Sequence, residues 1–341
     1  MKLNKKYFQS IILTVLLLIT FSIFAIPPDV GSVIKDPNLI PPPITRKQVK
    51  HVVIDLEAKE VLAEINSTGA KAWVWTFNGT VPGPLIRVME GDTITINLLN
   101  NNENTRSHNI DLHAVIGPGG GAVVTESVPG ERKSLTFKAT RQGTYIYHCA
   151  AEGVPWTHIA HGMFGMIVVE PKGGLPKVDK EFYIGQSEWY HNDLGDPRLP
   201  SGTLTLDETQ AATEIPNNWS FNGHKDALKD VLTNEMHAKQ GDTVRFFFVN
   251  GGPNKGANWH IIGTIFDRTY QGNFSDSLRN QETEYVAPGA AAMFELEMKV
   301  PGKYLLVDHA IYRVQNGALG FLHVDPVNPP SWPDDIYSPE P

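Results

Sequence analysis

The sequence predicts an all-β protein in which one sandwich domain occurs twice, and three observations carry that prediction. Turn-forming residues are abundant, with 30 Gly and 25 Pro in 341 residues, while 41% hydrophobic and 19% charged content fits a folded globular chain. Period-two segments mark strands. Thr93-Ile94-Thr95-Ile96-Asn97-Leu98 alternates polar and apolar residues, and Thr243-Val244-Arg245-Phe246-Phe247-Phe248-Val249 is β-branched and aromatic with looser alternation. Four short motifs also recur in order. Phe77-Asn78-Gly79 returns as Phe221-Asn222-Gly223, and Gly91-Asp92-Thr93 as Gly241-Asp242-Thr243. Gly143-Thr144-Tyr145 returns as Gly302-Lys303-Tyr304, and Gly162-Met163-Phe164-Gly165 as Gly317-Ala318-Leu319-Gly320. The offsets of 144, 150, 159 and 155 residues describe one duplicated domain with small loop differences.

Each segment can be justified in turn. Residues 1–25 carry Lys2, Lys5 and Lys6 before the uncharged run Ile11 to Ala25, the pattern of a secretory signal with cleavage after Ala25. A retained membrane anchor is the alternative, since the uncharged stretch from Tyr7 approaches the ~20 residues that span a bilayer. Either reading places the protein in the periplasm or an otherwise exported compartment. Residues 26–45, with Pro27, Pro28, Pro37, Pro41, Pro42 and Pro43, read as an extended arm. Domain one is expected over 46–173, with the boundary near Gly173-Gly174, domain two over 174–327, and a Pro-rich tail over 328–341. The Gly117-Pro118-Gly119-Gly120-Gly121 stretch lacks a following Gly-Lys-Ser/Thr and reads as a flexible inter-strand loop rather than a phosphate cradle.

Charge and cysteine usage narrow the function classes. Losing three lysines and no acids with the leader takes the formal charge from −8 to −11, so no nucleic-acid partner is expected. Cys149 is the single cysteine and cannot form an internal disulfide. A lone thiol in an oxidising compartment needs another holder, and its neighbourhood provides one. With His158 at +9 and Met163 at +14, and His108 upstream, two imidazoles, a thiolate and a weak axial thioether make a type 1 (blue) copper set. Taken singly, Cys149 could be a buried structural thiol and Met163 ordinary core packing.

Strand geometry extends the argument. Neighbouring side chains on a strand point to opposite faces, so His148 and Cys149 can serve two different metals. In Ser107-His108-Asn109-Ile110-Asp111-Leu112-His113 the same parity sends His108 one way and Asn109, Asp111 and His113 the other. The second, type 2, site then has His113 and His148 and needs a third imidazole. His309, in Leu306-Val307-Asp308-His309-Ala310, stands in nearly the repeat position of His148-Cys149. Three neutral histidines with an open position make a catalytic metal site. Asp111 and His260 are left as proton-relaying candidates. His51, His161, His191, His224, His237 and His323 are taken as surface or structural, although His161 lies inside the ligand loop.

His108, Asp111-Leu112-His113, His148-Cys149, Pro155-Trp156, His158, Gly162-Met163, His260-Ile261-Ile262-Gly263 and His309 together resemble the copper-containing nitrite reductases over roughly residues 48 to 325. The resemblance implies two tandem Greek-key cupredoxin-like β-sandwich domains, two coppers per subunit and a homotrimer. It implies a catalytic copper between subunits, bound by His113 and His148 of one chain and His309 of the next. Asp111 and His260 would deliver protons, and Ile262 would pack over the ligand. The implied reaction is one-electron reduction of nitrite to nitric oxide and water, with a cytochrome c or small cupredoxin as donor. Two alternatives remain at this stage. A laccase-like multicopper oxidase would need a trinuclear cluster, commonly built from His-x-His pairs, which this sequence lacks. A non-enzymatic cupredoxin carrier would leave the second-site residues unexplained.

Overall fold

The computed structural model describes residues 26–230 and 232–327; the expected leader, 1–25, and tail, 328–341, lie outside the described residues. Strands form four principal sheets. In the first sandwich one sheet runs in the order Asp29–Ser32, His51–Glu64, Thr93–Asn100, Arg132–Lys138, with Lys71–Phe77 also paired to His51–Glu64. The facing sheet runs Ile86–Met89, Phe164–Glu170, Gly143–His148, Asp111–Leu112. The second sandwich repeats this plan. One sheet runs Asn218–Phe221, Lys180–Trp189, Thr243–Gly252, Ala290–Glu297, Arg268–Tyr270, and the other Met236–Lys239, Leu319–Asp325, Gly302–Asp308, Ala257–Ile262, Thr283–Val286. Even the strand directions agree. His51–Glu64 is parallel to Thr93–Asn100 as Lys180–Trp189 is to Thr243–Gly252, and in the facing sheets Ile86–Met89 is parallel to Phe164–Glu170 as Met236–Lys239 is to Leu319–Asp325. The motif repeat is therefore a repeat of Greek-key topology, and the chain is an all-β double cupredoxin-type sandwich.

Burial explains why one strand alternates cleanly and the other does not. In Thr93–Asn100 the residues Ile94, Ile96 and Leu98 enter the first core while their neighbours stay partly wet. In Thr243–Gly252 both faces are covered. Phe246 and Phe248 enter the second core, while Phe247 and Val249 join a third cluster between the sandwiches, with Ile146, Phe164, Met166 and Val168 of the first and Met293 of the second. Burying each such side chain is worth roughly 1.5–3 kcal/mol, so this shared core binds the two domains into one body.

Charges and the N-terminal arm reinforce that junction. Arg87 pairs with Glu170 and, at 2.8 Å, with Glu181 across the domain boundary; Arg245 binds Glu181 at 2.6 Å and also Glu295. Burial pushes the Glu181 carboxyl up, but the guanidiniums of Arg87 and Arg245 outweigh it and hold it below the usual carboxylate range. The arm is extended, as its prolines imply. Its strand Asp29–Ser32 adds to the first sandwich beside Leu62–Glu64. Lys35 N–H then donates to Asn222 O at 3.3 Å and Tyr183 N–H to Pro37 O at 2.9 Å on the second sandwich.

Candidate metal centres

The first centre is built by the end of one strand and the loop that follows it. Along Gly143–His148, Tyr147 and then Cys149 enter the first core while Ile146 faces the inter-domain core. Pleat alternation therefore sends His148 away from Cys149, one peptide bond apart. Cys149, His108 and His158 are all buried, and their ligand atoms lie within 4.8 Å of one another. Cys149 Sγ stands 3.7 Å from His108 Nδ1 and accepts the Asn109 N–H at 3.3 Å. His108 is held from both sides. Its backbone exchanges hydrogen bonds with Ser127 at 3.0 and 2.9 Å, and its Nε2 bonds Glu60 Oε1 at 3.1 Å, which leaves Nδ1 aimed at the sulfur. His158 rides on the short helix Pro155–Ala160. Met163 is wholly buried, and its carbonyl accepts the Cys149 N–H at 3.1 Å.

These residues fit a copper ion. His158 Nδ1 is buried without a hydrogen-bond partner, an arrangement that costs free energy unless something ligates it. Burial, with His108 and Arg106 nearby, lowers His158 to about 3, so its ring is neutral. Burial pushes the Cys149 thiol up to about 12; a thiolate here requires a cation beside it. Tryptophan walls the group: Trp75 meets the rings of His158 and His108 edge-on at 4.8 and 5.5 Å.

The second group is Asp111, His113 and His148, whose ligand atoms also lie within 4.8 Å of one another. Asp111 pairs with His148 across adjacent strands, and the Nε2 atoms of His113 and His148 stand 3.2 Å apart. Burial, then the neighbouring His148, lowers the His113 pKa, so a neutral, metal-competent ring is favoured. Two imidazole nitrogens this close either share one proton or, both unprotonated, face a common cation, and a pair of imidazoles beside a carboxylate suits copper or zinc. Among the described residues, these two groups are the ones able to gather three such ligands.

His309 joins neither group within one chain. It is exposed, with its ring 5.0 Å from that of His260, and Ile262 is exposed on the same strand as His260. His260 Nδ1 bonds Glu282 O at 2.6 Å, so the ring is anchored through that nitrogen. The chain thus carries two separate groups, His113-His148-Asp111 and His309-His260-Ile262. Exposed apolar side chains neighbour both in sequence, among them Ile116, Val123 and Val124 for the first and Ile311 and Tyr312 for the second.

Sequence parity held where residues pleat and failed where they do not. Ile110 and Leu112 enter the core and Asp111 and His113 turn outward, but only Asp111–Leu112 is strand. Asn109 therefore departs from the expectation that it faces the second site: its Oδ1 accepts Ala150 N–H at 2.7 Å beside Cys149. Nor is the glycine-rich stretch a free loop. Gly120 is buried against Asp111, and Ala122–Thr125 continues it as a helical turn. His161 stacks on Trp75 at 3.8 Å and bonds Thr157 O through Nδ1 at 2.8 Å, a buried wall of the first centre. Glu60 and Trp75 carry no signal in the sequence, because no motif joins residues so far along the chain from the histidines they touch.

The Multicopper oxidase family matches this chain at residues 61–174 and again at 180–320. With the Cys149 group, these matches define a copper protein made of two multicopper-oxidase-type domains. A copper-containing nitrite reductase from Neisseria meningitidis serogroup A is 43% identical over 287 residues, covering 84% of this chain and 72% of that protein. Another from Pseudomonas chlororaphis is 34% identical over 324 residues, covering 88% and 87%. The solved copper nitrite reductase from Nitrosomonas europaea superposes with a TM-score of 0.70 at 33% identity, over 84% of this chain and 95% of that one. A multicopper oxidase crystal structure follows at 0.67 and 26%, over 81% and 89%. The chain belongs to the family of copper-containing nitrite reductases.

Proposed function

We propose that this protein reduces nitrite by one electron to nitric oxide and water, taking up two protons. The observation that carries the reading is the Cys149-His148 pair. One residue belongs to each metal-competent group, so a single peptide bond links the two. When bound, a type 1 copper at His108, Cys149, His158 and Met163 supplies electron transfer, and a type 2 copper supplies a Lewis acid and one-electron donor to nitrite. His113 and His148 are two ligands of the second site, and His309 of a neighbouring copy is the third, in the homotrimer with two coppers per subunit that the resemblance to copper-containing nitrite reductases implies. The exposed apolar residues near both half-sites support that assembly.

Around this site the chain's own groups handle protons. One nitrite oxygen must leave as water, because oxide is too basic to depart unaided. Asp111, partly exposed beside His113 and His148, is the carboxyl group placed to relay a proton to that oxygen. His260, anchored by Glu282 O through Nδ1, presents Nε2 for the second proton. Ile262 packs over the bound anion and excludes bulkier ones. A cytochrome c or small cupredoxin is the donor class, and export to the periplasm follows if residues 1–25 act as a secretory signal.

Copper counting and one assay test the reading. The copper-loaded protein should hold two coppers per subunit and form nitric oxide from nitrite with a reduced artificial donor. Four coppers with oxygen reduction to water would make it an oxidase, and one copper without turnover a carrier.

A further inference from the structure

The two sandwiches can be laid over one another residue by residue at the metal position, and the second holds an ion pair there. Asp111 pairs with His148, and His148 with Phe164; at the same places His260 pairs with Val307, and Val307 with Leu319. Val307 is therefore the counterpart of His148, and Asp308 the counterpart of Cys149. Their surroundings agree. Cys149 N–H donates to Met163 O and Asp308 N–H to Ala318 O, at 3.1 and 3.4 Å. Asn109 N–H donates to Cys149 Sγ at 3.3 Å and Asn258 N–H to Asp308 Oδ1 at 3.2 Å. The expectation that His309 repeats His148-Cys149 is thus corrected by one position, since His309 corresponds to Ala150.

Asp308 is wholly buried and collects donors from every side. Arg313 Nη1 reaches its Oδ2 at 2.6 Å and Gln186 Nε2 at 2.9 Å; Asn258 Nδ2 and Ala310 N–H reach Oδ1 at 3.1 and 2.9 Å. The Arg313 guanidinium lies 5.2 Å from the ring of Trp219, the counterpart of Trp75 by strand pairing. A carboxylate and a guanidinium thus occupy the position that in the first sandwich holds a thiol and two imidazoles. A buried carboxylate in such a place needs a cation, and the chain provides its own.

We infer that the Asp308–Arg313 pair is a positioning device for His309, rigidifying the turn that presents this imidazole to a copper shared with another copy. The inference rests on His309 being a type 2 ligand. Its geometric basis is local: Asp308 precedes His309, Ala310 follows it, and Asp308 Oδ1 accepts the Ala310 N–H. His309 N–H itself donates to Asn258 O at 2.7 Å, and Arg313 N–H closes the turn on Ala310 O at 2.9 Å. Groups that orient a ligand from outside the coordination sphere typically change metal affinity about 10–100-fold when lost.

The test uses the copper-loaded full chain, a competing chelator, and electron paramagnetic resonance of the type 2 signal alongside the type 1 visible band. Asp308→Asn should weaken type 2 copper retention by about 10–100-fold and alter its hyperfine splitting, with the type 1 band unchanged. A folded Asp308→Asn protein with wild-type retention and splitting overturns the inference. Should that variant not fold, Arg313→Gln decides, since it leaves the carboxylate with its other donors. A roughly tenfold loss of type 2 retention supports the role, and wild-type retention overturns it. His309→Ala separates the two levels. If it keeps the type 2 signal, the ligand assignment fails and this inference with it; if it loses the signal while the Asp308 and Arg313 variants keep it, only the positioning role fails.

Discussion

Replacing Gly120 by alanine probes Asp111 without touching it. Gly120 has φ +53°, and a Cβ built there would stand 2.9 Å from Asp111 Cγ, closer still to Oδ1, and 3.1 Å from Leu112 O. Ordinary contact begins near 3.4 Å, so the carboxyl must retreat by about 1–1.5 Å, since the Leu112 carbonyl belongs to a strand and moves less easily. Left-handed strain adds about 1–2 kcal/mol, a modest part of the ~5–15 kcal/mol that holds a domain folded. Misplacing a catalytic group by about 1 Å costs on the order of 100-fold in rate, or about 2.7 kcal/mol of barrier. Nitrite turnover should therefore fall by about 30–100-fold, with the type 1 band and both coppers retained. Gly119→Ala is the control. Gly119 shares the left-handed backbone at φ +69°, but its Cβ would meet only Val123 Cγ2 at 3.4 Å. If both variants lose activity equally, loop strain is responsible and the contact with Asp111 is not.

Other expectations follow from the same geometry. Asp111→Asn should leave the blue-copper absorption intact and lower nitrite turnover about a hundredfold or more; unchanged turnover removes Asp111 from the proton path. Met163→Leu should raise or lower the type 1 potential while the type 2 copper stays, and loss of both coppers contradicts the partition into two sites. Glu181→Gln should destabilise the protein by about 1.5–3 kcal/mol in denaturant melts, because Arg87 and Arg245 lose a shared charged acceptor. The same pair sets an acid limit. Glu181 has a depressed folded-state pKa, so its contribution is complete above the unfolded value near 4.5 and disappears as the pH falls through the folded value. The variant's stability deficit should therefore shrink as the pH drops below about 4.5; a deficit constant from pH 7 to pH 3 contradicts the assignment.

Much of the first centre was legible because its ligands are close in sequence. Cys149 and His158 come from a strand end and the short helix that follows, and their spacing pointed to their meeting; Met163, at the next strand's approach, is buried and its backbone bonds Cys149. The opposite facing of His148 was legible for an equally local reason: it follows from a pleated backbone, whichever partners the strand has. Where the backbone stops pleating, as at Asn109, that inference failed. The second group was legible only in part. His113 and His148 meet within the chain, whereas His309, its proposed partner, lies exposed in the other sandwich, and no local rule connects them.

By itself, then, the sequence determined the all-β class and the duplication and pointed to the buried group around Cys149, because alternation, turn chemistry and short loops are properties of neighbouring residues. Tertiary structure alone decided what stands in the matching place of the second sandwich. Asp308, Arg313 and Gln186 meet there across up to 127 residues of chain, and Glu60 reaches His108 across 48. Strand register across a sheet sets those meetings, and a count along the sequence that is off by one residue moves a side chain to the opposite face. That single step separates Asp308, enclosed in the core, from His309, facing outward beside His260.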